Sequence, residues 1–134
     1  MKYFLFKEET FGTYLNLYIN CTTEELTKSL QRKIGDKNFK LEDDNMSGRT
    51  FVLQKDNNYH RIIWICNFDW SVRSQALLVH ELVHFTTQVF EDKGLPISRK
   101  EDEVMAYYME FWVKTIFWKL RKLNPVYKKR KNKS

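Results

Sequence analysis

Glycine and proline are scarce in this chain. Four glycines and two prolines in 134 residues leave little material for a loop-rich or disordered polypeptide, and aromatic residues make up 16% of it; both facts argue for a packed domain. No apolar run approaches the roughly 18–20 residues a membrane span needs, so no membrane partner is expected. The opening MKYFLFKEETF breaks its short apolar patch with charge and has no small-residue cleavage site, so no export signal is expected. The expected setting is a cytoplasm, that of a host cell if the chain is phage-encoded, or a virion interior. The two cysteines, Cys21 and Cys66, have no CxxC spacing. In a reducing compartment they read as buried free thiols rather than a disulfide or a thiolate metal knuckle.

Acid is missing from one end. Residues 119–134 hold eight Lys or Arg and no acid, which leaves 15 basic against 17 acidic residues elsewhere. The body is therefore near neutral and the net charge of +6 resides in a tail. Such a tail is a weak pointer to nucleic acid, and only Tyr127 interleaves an aromatic with it.

Alternating apolar and polar residues at 2–7 and 13–20 predict two strands, paired as a hairpin around Phe11-Gly12. Thr22 followed by Glu24 and Glu25 opens a helix with a stripe of Leu26, Leu30 and Ile34, stopped at Gly35. Residues 36–49 are polar loop. TFVLQK (50–55) and HRIIWIC (60–66) predict two further strands about the turn Asp56-Asn57-Asn58. Ser71 caps a helix running to about Glu91, and Gly94 and Pro96 end it. A last long helix starts at Ser98 or Arg99 and runs to about Leu123, where Asn124-Pro125 stops it. The expectation is an α+β fold with a small, mainly antiparallel sheet, forming one domain over 1–123 followed by a basic, flexible tail at 124–134.

Only three histidines occur, and two stand in VHELVHF (79–85). His80 and His84 are one helical turn apart and point the same way. Two imidazoles so placed can share one Zn²⁺, and Glu81 between them sits where a general base for an attacking water belongs. The same two imidazoles also make ordinary hydrogen-bonded side chains on a buried helix. A catalytic ion needs a third protein ligand and an open position. Glu101, Asp102 and Glu103 follow His84 by 17–19 residues across the Gly94-Leu95-Pro96 turn. Glu103 is favoured because it begins a polar stripe with Tyr107, Glu110 and Lys114, with Val104, Tyr108 and Phe111 and, beside them, Met105, Met109, Trp112 and Ile116 on the apolar sides. His60 reads as a surface histidine rather than a fourth ligand.

HELVH followed by the glutamate of DEVMAY resembles the gluzincin branch of the zincin metallopeptidases, the thermolysin type, over about residues 60–112. VHELVHF, GLPI and DEVMAYY together also resemble small HExxH proteins of phages and mobile elements. The resemblance implies a minimal zincin-like domain, its sheet packed on the HExxH helix and the long helix after it. It implies a zinc metallopeptidase acting on a peptide or protein substrate, with His80, His84 and Glu103 as ligands and Glu81 as base. It implies an oxyanion-stabilising group, for which Tyr107 is the candidate and Tyr108 the alternative. The aspartate that in this family supports a zinc-binding histidine would fall on Tyr107, leaving Asp69 or Glu110 to serve. The strand 61–67 would line the cleft and pair with extended substrate. A chain this short has no room for a second substrate-binding domain, so a partner protein or self-assembly would complete the cleft. The alternative is a non-catalytic zinc-binding structural or interaction protein, such as a virion or cargo component. Mn²⁺ or Co²⁺ could replace zinc in such a site.

Overall fold

A computed structural model describes residues 1–42, 46–100 and 102–132. The expected loop positions 43–45, candidate ligand Glu101 and the last two residues lie outside the described residues. The elements in order are β1 (Lys2–Lys7), β2 (Tyr14–Ile19), α1 (Thr23–Ile34), β3 (Gly48–Lys55), β4 (Asn58–Ile65), α2 (Val72–Asp92), α3 (Asp102–Leu120), a 3₁₀ turn (Arg121–Leu123) and α4 (Pro125–Asn132). With 48% helix and 23% strand the fold is α+β. Contacts divide it into two compact units, Met1–Phe68 and Asp69–Ser134.

The first unit is a four-stranded sheet in the order β1-β2-β4-β3. β1–β2 and β3–β4 are antiparallel hairpins, and β2 and β4 run parallel, matching Asn16 to Ile62 and Ile19 to Ile65. The first hairpin closes through Glu8. Its carboxylate accepts from the backbone N–H of Phe11 at 2.9 Å and of Thr13 at 3.0 Å, and Gly12 supplies the left-handed backbone (φ 66°) between them. α1 starts with a capping box: Thr22 Oγ1 accepts from the Glu25 N–H at 3.1 Å and the Glu25 carboxylate accepts from the Thr22 N–H at 3.1 Å. Its apolar stripe buries Leu26 and Leu30 with Tyr18, Cys21, Ile62 and Trp64, and Phe39, Leu41, Phe51 and Leu53 pack around them. The Trp64 indole N–H donates to the Cys21 carbonyl at 2.8 Å, satisfying its polar atom inside the cluster.

Two expectations need correcting here. β4 is an interior strand, hydrogen-bonded to β2 on one side and β3 on the other, so its backbone has no free edge for extended substrate. Its composition gives the reason. Ile62, Ile63, Trp64 and Ile65 are all buried, an unbroken apolar run that belongs to a strand covered on both faces. The sheet edges are β1 and β3. Cys66 is also exposed rather than buried, because it lies just past the end of β4, whereas Cys21 is buried as expected.

The second unit is built on α2 and α3. The Ser71 hydroxyl caps α2 by accepting from the Ser74 N–H at 3.2 Å. At the other end the Leu95 N–H donates to the Phe90 carbonyl at 2.9 Å and the Gly94 N–H to the Glu91 carbonyl at 3.0 Å. This pairing is a Schellman stop, and Gly94 at φ 67° is the left-handed residue it requires. α3 packs antiparallel on α2. Phe90 meets Tyr108 at 5.6 Å between ring centroids, Phe85 meets Trp112 at 5.1 Å, and the Thr86 hydroxyl donates to Met109 Sδ at 2.9 Å. At the far end the Trp70 indole donates to the Leu120 carbonyl at 3.1 Å and stands edge-on to Phe117. The buried stripe of α3 is Tyr108, Trp112, Ile116 and Leu120. Val104 and Phe111, expected on the apolar side, are exposed: Phe111 lies one position off the i, i+4 series of the stripe, and Val104 continues that series back into the first turn of α3, ahead of its first buried residue.

The tail is also helical where it is described. Asn124-Pro125 ends one helical segment and begins another: Pro125 occupies the first position of α4, where it needs no N–H partner, and Asn124 Oδ1 accepts from the Val126 N–H at 3.0 Å. Asn-Pro is thus a start signal as well as a stop signal.

Two predictions follow from this packing. Burial pushes the Cys21 thiol up to about 11, so native protein at mild alkaline pH should be alkylated once, at Cys66, and twice only after denaturation; peptide mapping of the adduct checks this. Trp112→Ala, which empties a fully buried indole site between α2 and α3, should cost about 3–5 kcal/mol in urea unfolding.

Candidate metal centre

His80, Glu81 and His84 all lie in the middle of α2. The Nε2 atoms of His80 and His84 are 3.2 Å apart, and their rings meet edge to face with centroids 4.8 Å apart. Two imidazoles bound to one tetrahedral zinc at 2.0–2.1 Å would hold their nitrogens about 3.3 Å from each other. The observed separation is therefore the bite of a single ion, and it equally suits an N–H···N hydrogen bond between one donor and one acceptor tautomer. Both side chains are exposed, so an ion has access to them from solvent.

Glu81 is different: it is only 5% exposed and shares the buried stripe of Leu78, Leu82, Phe85 and Val89. A carboxylate is costly to bury, and this one lies on the buried side of α2, next in sequence to His80 and three residues before His84. This burial was readable from spacing alone. Positions 78, 81, 82 and 85 fall at i, i+3, i+4 and i+7, the apolar face of a helix, although the motif draws attention to the glutamate's chemistry first.

The remaining candidates are placed elsewhere. Glu103 is exposed in the first turn of α3. Extending the Phe85–Trp112 and Phe90–Tyr108 register sets it level with the end of α2, roughly 12–16 Å along the axis from His84. The two helices also meet on the wrong side for it. At about 100° per residue, Phe85, Thr86 and Phe90 define the side of α2 that faces α3, and His84 and His80 lie about 180° and 140° around from it. Among the described residues no group of three or more His, Cys, Asp or Glu side chains is arranged to hold a metal ion. The structure thus brings the His80 and His84 imidazoles together, sets Glu81 next to His80 in sequence but on the buried side of α2, and does not bring Glu103 to them. Tyr107 is 67% exposed on α3, while Tyr108 is a core aromatic against Phe90. Glu110 pairs with Lys114 at 2.7 Å. Asp69 accepts from the Ser71 N–H at 3.0 Å, and these hydrogen bonds from Ser71 hold its carboxyl below the usual range. Both are committed to other partners. His60 is half-buried on β4, and burial together with nearby Lys33 lowers its pKa from the ordinary histidine value.

Comparisons with family models, with curated proteins and with solved structures found no match to this chain.

The donor set fits a divalent ion at two coordination positions. Purified protein should carry about one zinc per chain by elemental analysis, and His84→Ala should carry none while keeping its helical circular dichroism, since His84 is exposed.

Proposed function

We propose that the chain is a metal-dependent hydrolase of the HExxH type, a zinc metallopeptidase acting on peptide bonds, with His80 and His84 holding the ion and Glu81 as general base. The observation that carries this reading is the convergence of the two Nε2 atoms to 3.2 Å beside a buried glutamate. Held by His80 and His84, a divalent ion would supply Lewis acidity toward a peptide carbonyl and toward water. Glu81 then acts through its own carboxylate: it accepts a proton from the attacking water and delivers it to the departing amine. Its burial in the Leu78–Phe85 stripe limits competing solvent around the carboxylate. Glu103, with Glu101 and Asp102 behind it, stays the candidate third ligand under this reading, and reaching the imidazoles requires the first turns of α3 to leave their present register. Tyr107 is the corresponding candidate for oxyanion stabilisation and is subject to the same requirement.

A second reading is favoured by the same two-ligand arrangement. Two exposed histidines at the surface of a helix also suit a non-catalytic metal-binding protein in which a partner chain or a second copy completes the coordination.

Glu81→Gln separates the two. Under the peptidase reading it should keep its metal and lose peptide hydrolysis by at least about a hundredfold, the scale of general-base catalysis, measured with a quenched-fluorescence peptide library. Hydrolysis that survives the change would exclude Glu81 as the base.

A further inference from the structure

We infer that the end of α3 together with α4 forms a binding surface for single-stranded nucleic acid, with Trp118 as its stacking platform. Trp118 is 67% exposed, an unusual position for an indole, whose large apolar area ordinarily seeks cover. One face of the ring is already organised. The Arg121 guanidinium carbon lies 3.7 Å from the ring centroid, and Arg121 Nη1 donates to the Trp118 carbonyl at 2.6 Å. The same guanidinium lies 5.9 Å from the Tyr127 ring centroid, so an arginine sits between two aromatic rings contributed by α3 and α4. Lys114, Thr115, Phe117, Trp118 and Arg121 line a shallow, open groove beside it.

Beyond Glu110, which pairs with Lys114 at the rim of this groove, the charge of the chain has one sign. Glu110 is the last acidic residue of the chain, and the 24 residues after it contain nine Lys or Arg. α4 brings the run KKRK onto a helix that follows the platform directly. An exposed indole for bases, a guanidinium stacked on it and an acid-free basic helix for phosphates are the components of sequence-tolerant single-strand binding. An anionic membrane would also attract the charge. α4, PVYKKRKN, however, offers only Val126 and Tyr127 as apolar side chains beyond its proline, too few for the apolar face an interfacial helix inserts. A rigid duplex would meet the charge but leave the exposed indole without a base to stack on. The surface lies on the opposite end of α3 from Glu103 and shares no residue with the His80–Glu81–His84 group, so the inference stands apart from the proposed hydrolase activity.

The test is fluorescence anisotropy of full-length protein with a labelled oligothymidylate of 20 nucleotides, a duplex of the same length and vesicles of phosphatidylglycerol with phosphatidylcholine. The single strand should bind more tightly than the duplex and the vesicles, and its affinity should fall at least tenfold between about 50 and 200 mM salt. Trp118→Ala, an exposed substitution that leaves the core intact, should weaken binding about tenfold with little change in salt slope. Arg130→Glu should weaken binding and flatten the slope, and His84→Ala should bind as the parent does. Equal affinity of the parent and Trp118→Ala for the single strand would overturn the proposal. So would preference for the duplex or the vesicles, or no binding of the oligonucleotide at low salt.

Discussion

Everything in the second unit depends on how α2 divides its circumference. A helix repeats every 3.6 residues, so a 21-residue element cannot bury one side chain without also committing its neighbours at i+3, i+4 and i+7. The stripe of Leu78, Leu82, Phe85 and Val89 must be covered, and Glu81 falls within it. His80 and His84 fall outside, on the exposed side, and the spacing of one turn that makes them exposed together also brings their Nε2 atoms together. Phe85, Thr86 and Phe90 then fix where α3 lies. The position of the imidazoles, the burial of the glutamate and the remoteness of Glu103 are three results of one angular constraint.

The sheet obeys a different rule with a similar consequence. Strand side chains alternate, so a strand polar on one face shows it in sequence, and one buried on both faces shows an unbroken apolar run. Ile62 to Ile65 is such a run, and the structure gives β4 hydrogen-bonding partners on both sides. Any extended peptide that adds to this sheet must do so at β1 or β3, the outermost strands among the described residues. β1 carries exposed Tyr3 and Leu5 and β3 exposed Val52, so either edge offers apolar side chains to an added strand.

How much of this was legible in the sequence varied with the range of the interaction that decides it. Local signals were reliable: the Thr22 and Ser71 caps, the Gly35 and Gly94 stops and all four strands rest on residues within a few positions of one another. Strand order was not legible, because the parallel pairing of β2 with β4 depends on contacts some 46 residues apart in sequence. Asn124-Pro125 carried two compatible meanings, and only the Asn124 cap on Val126 chooses the second. The site divided the same way. The turn that joins His80 to His84 is local and was readable. Whether Glu103 reaches them depends on the register between two helices, which Phe90, Tyr108 and Trp112 decide and the motif does not encode. The Trp118–Arg121 stack was within reach, since residues at i and i+3 share a helix face, but attention to the basic run began at Lys119, one residue too late to include the indole.

The number of ligand positions is what distinguishes the two readings of the metal centre. A structural zinc site closes all four positions with protein donors, whereas a catalytic one closes three and keeps one open. With two imidazoles converging on the exposed side of α2 and α3 packed away from them, two positions face outward. A group that fills one of them turns the pair into a catalytic site with Glu81 already in place; groups that fill both make it a joint between chains. Glu81 would serve a hydrolase as the proton acceptor, and it lies on the buried side of α2 while the imidazoles lie on the exposed side. The proposed hydrolase therefore depends on what fills the outward positions, and on Glu81 as well as on the histidine pair.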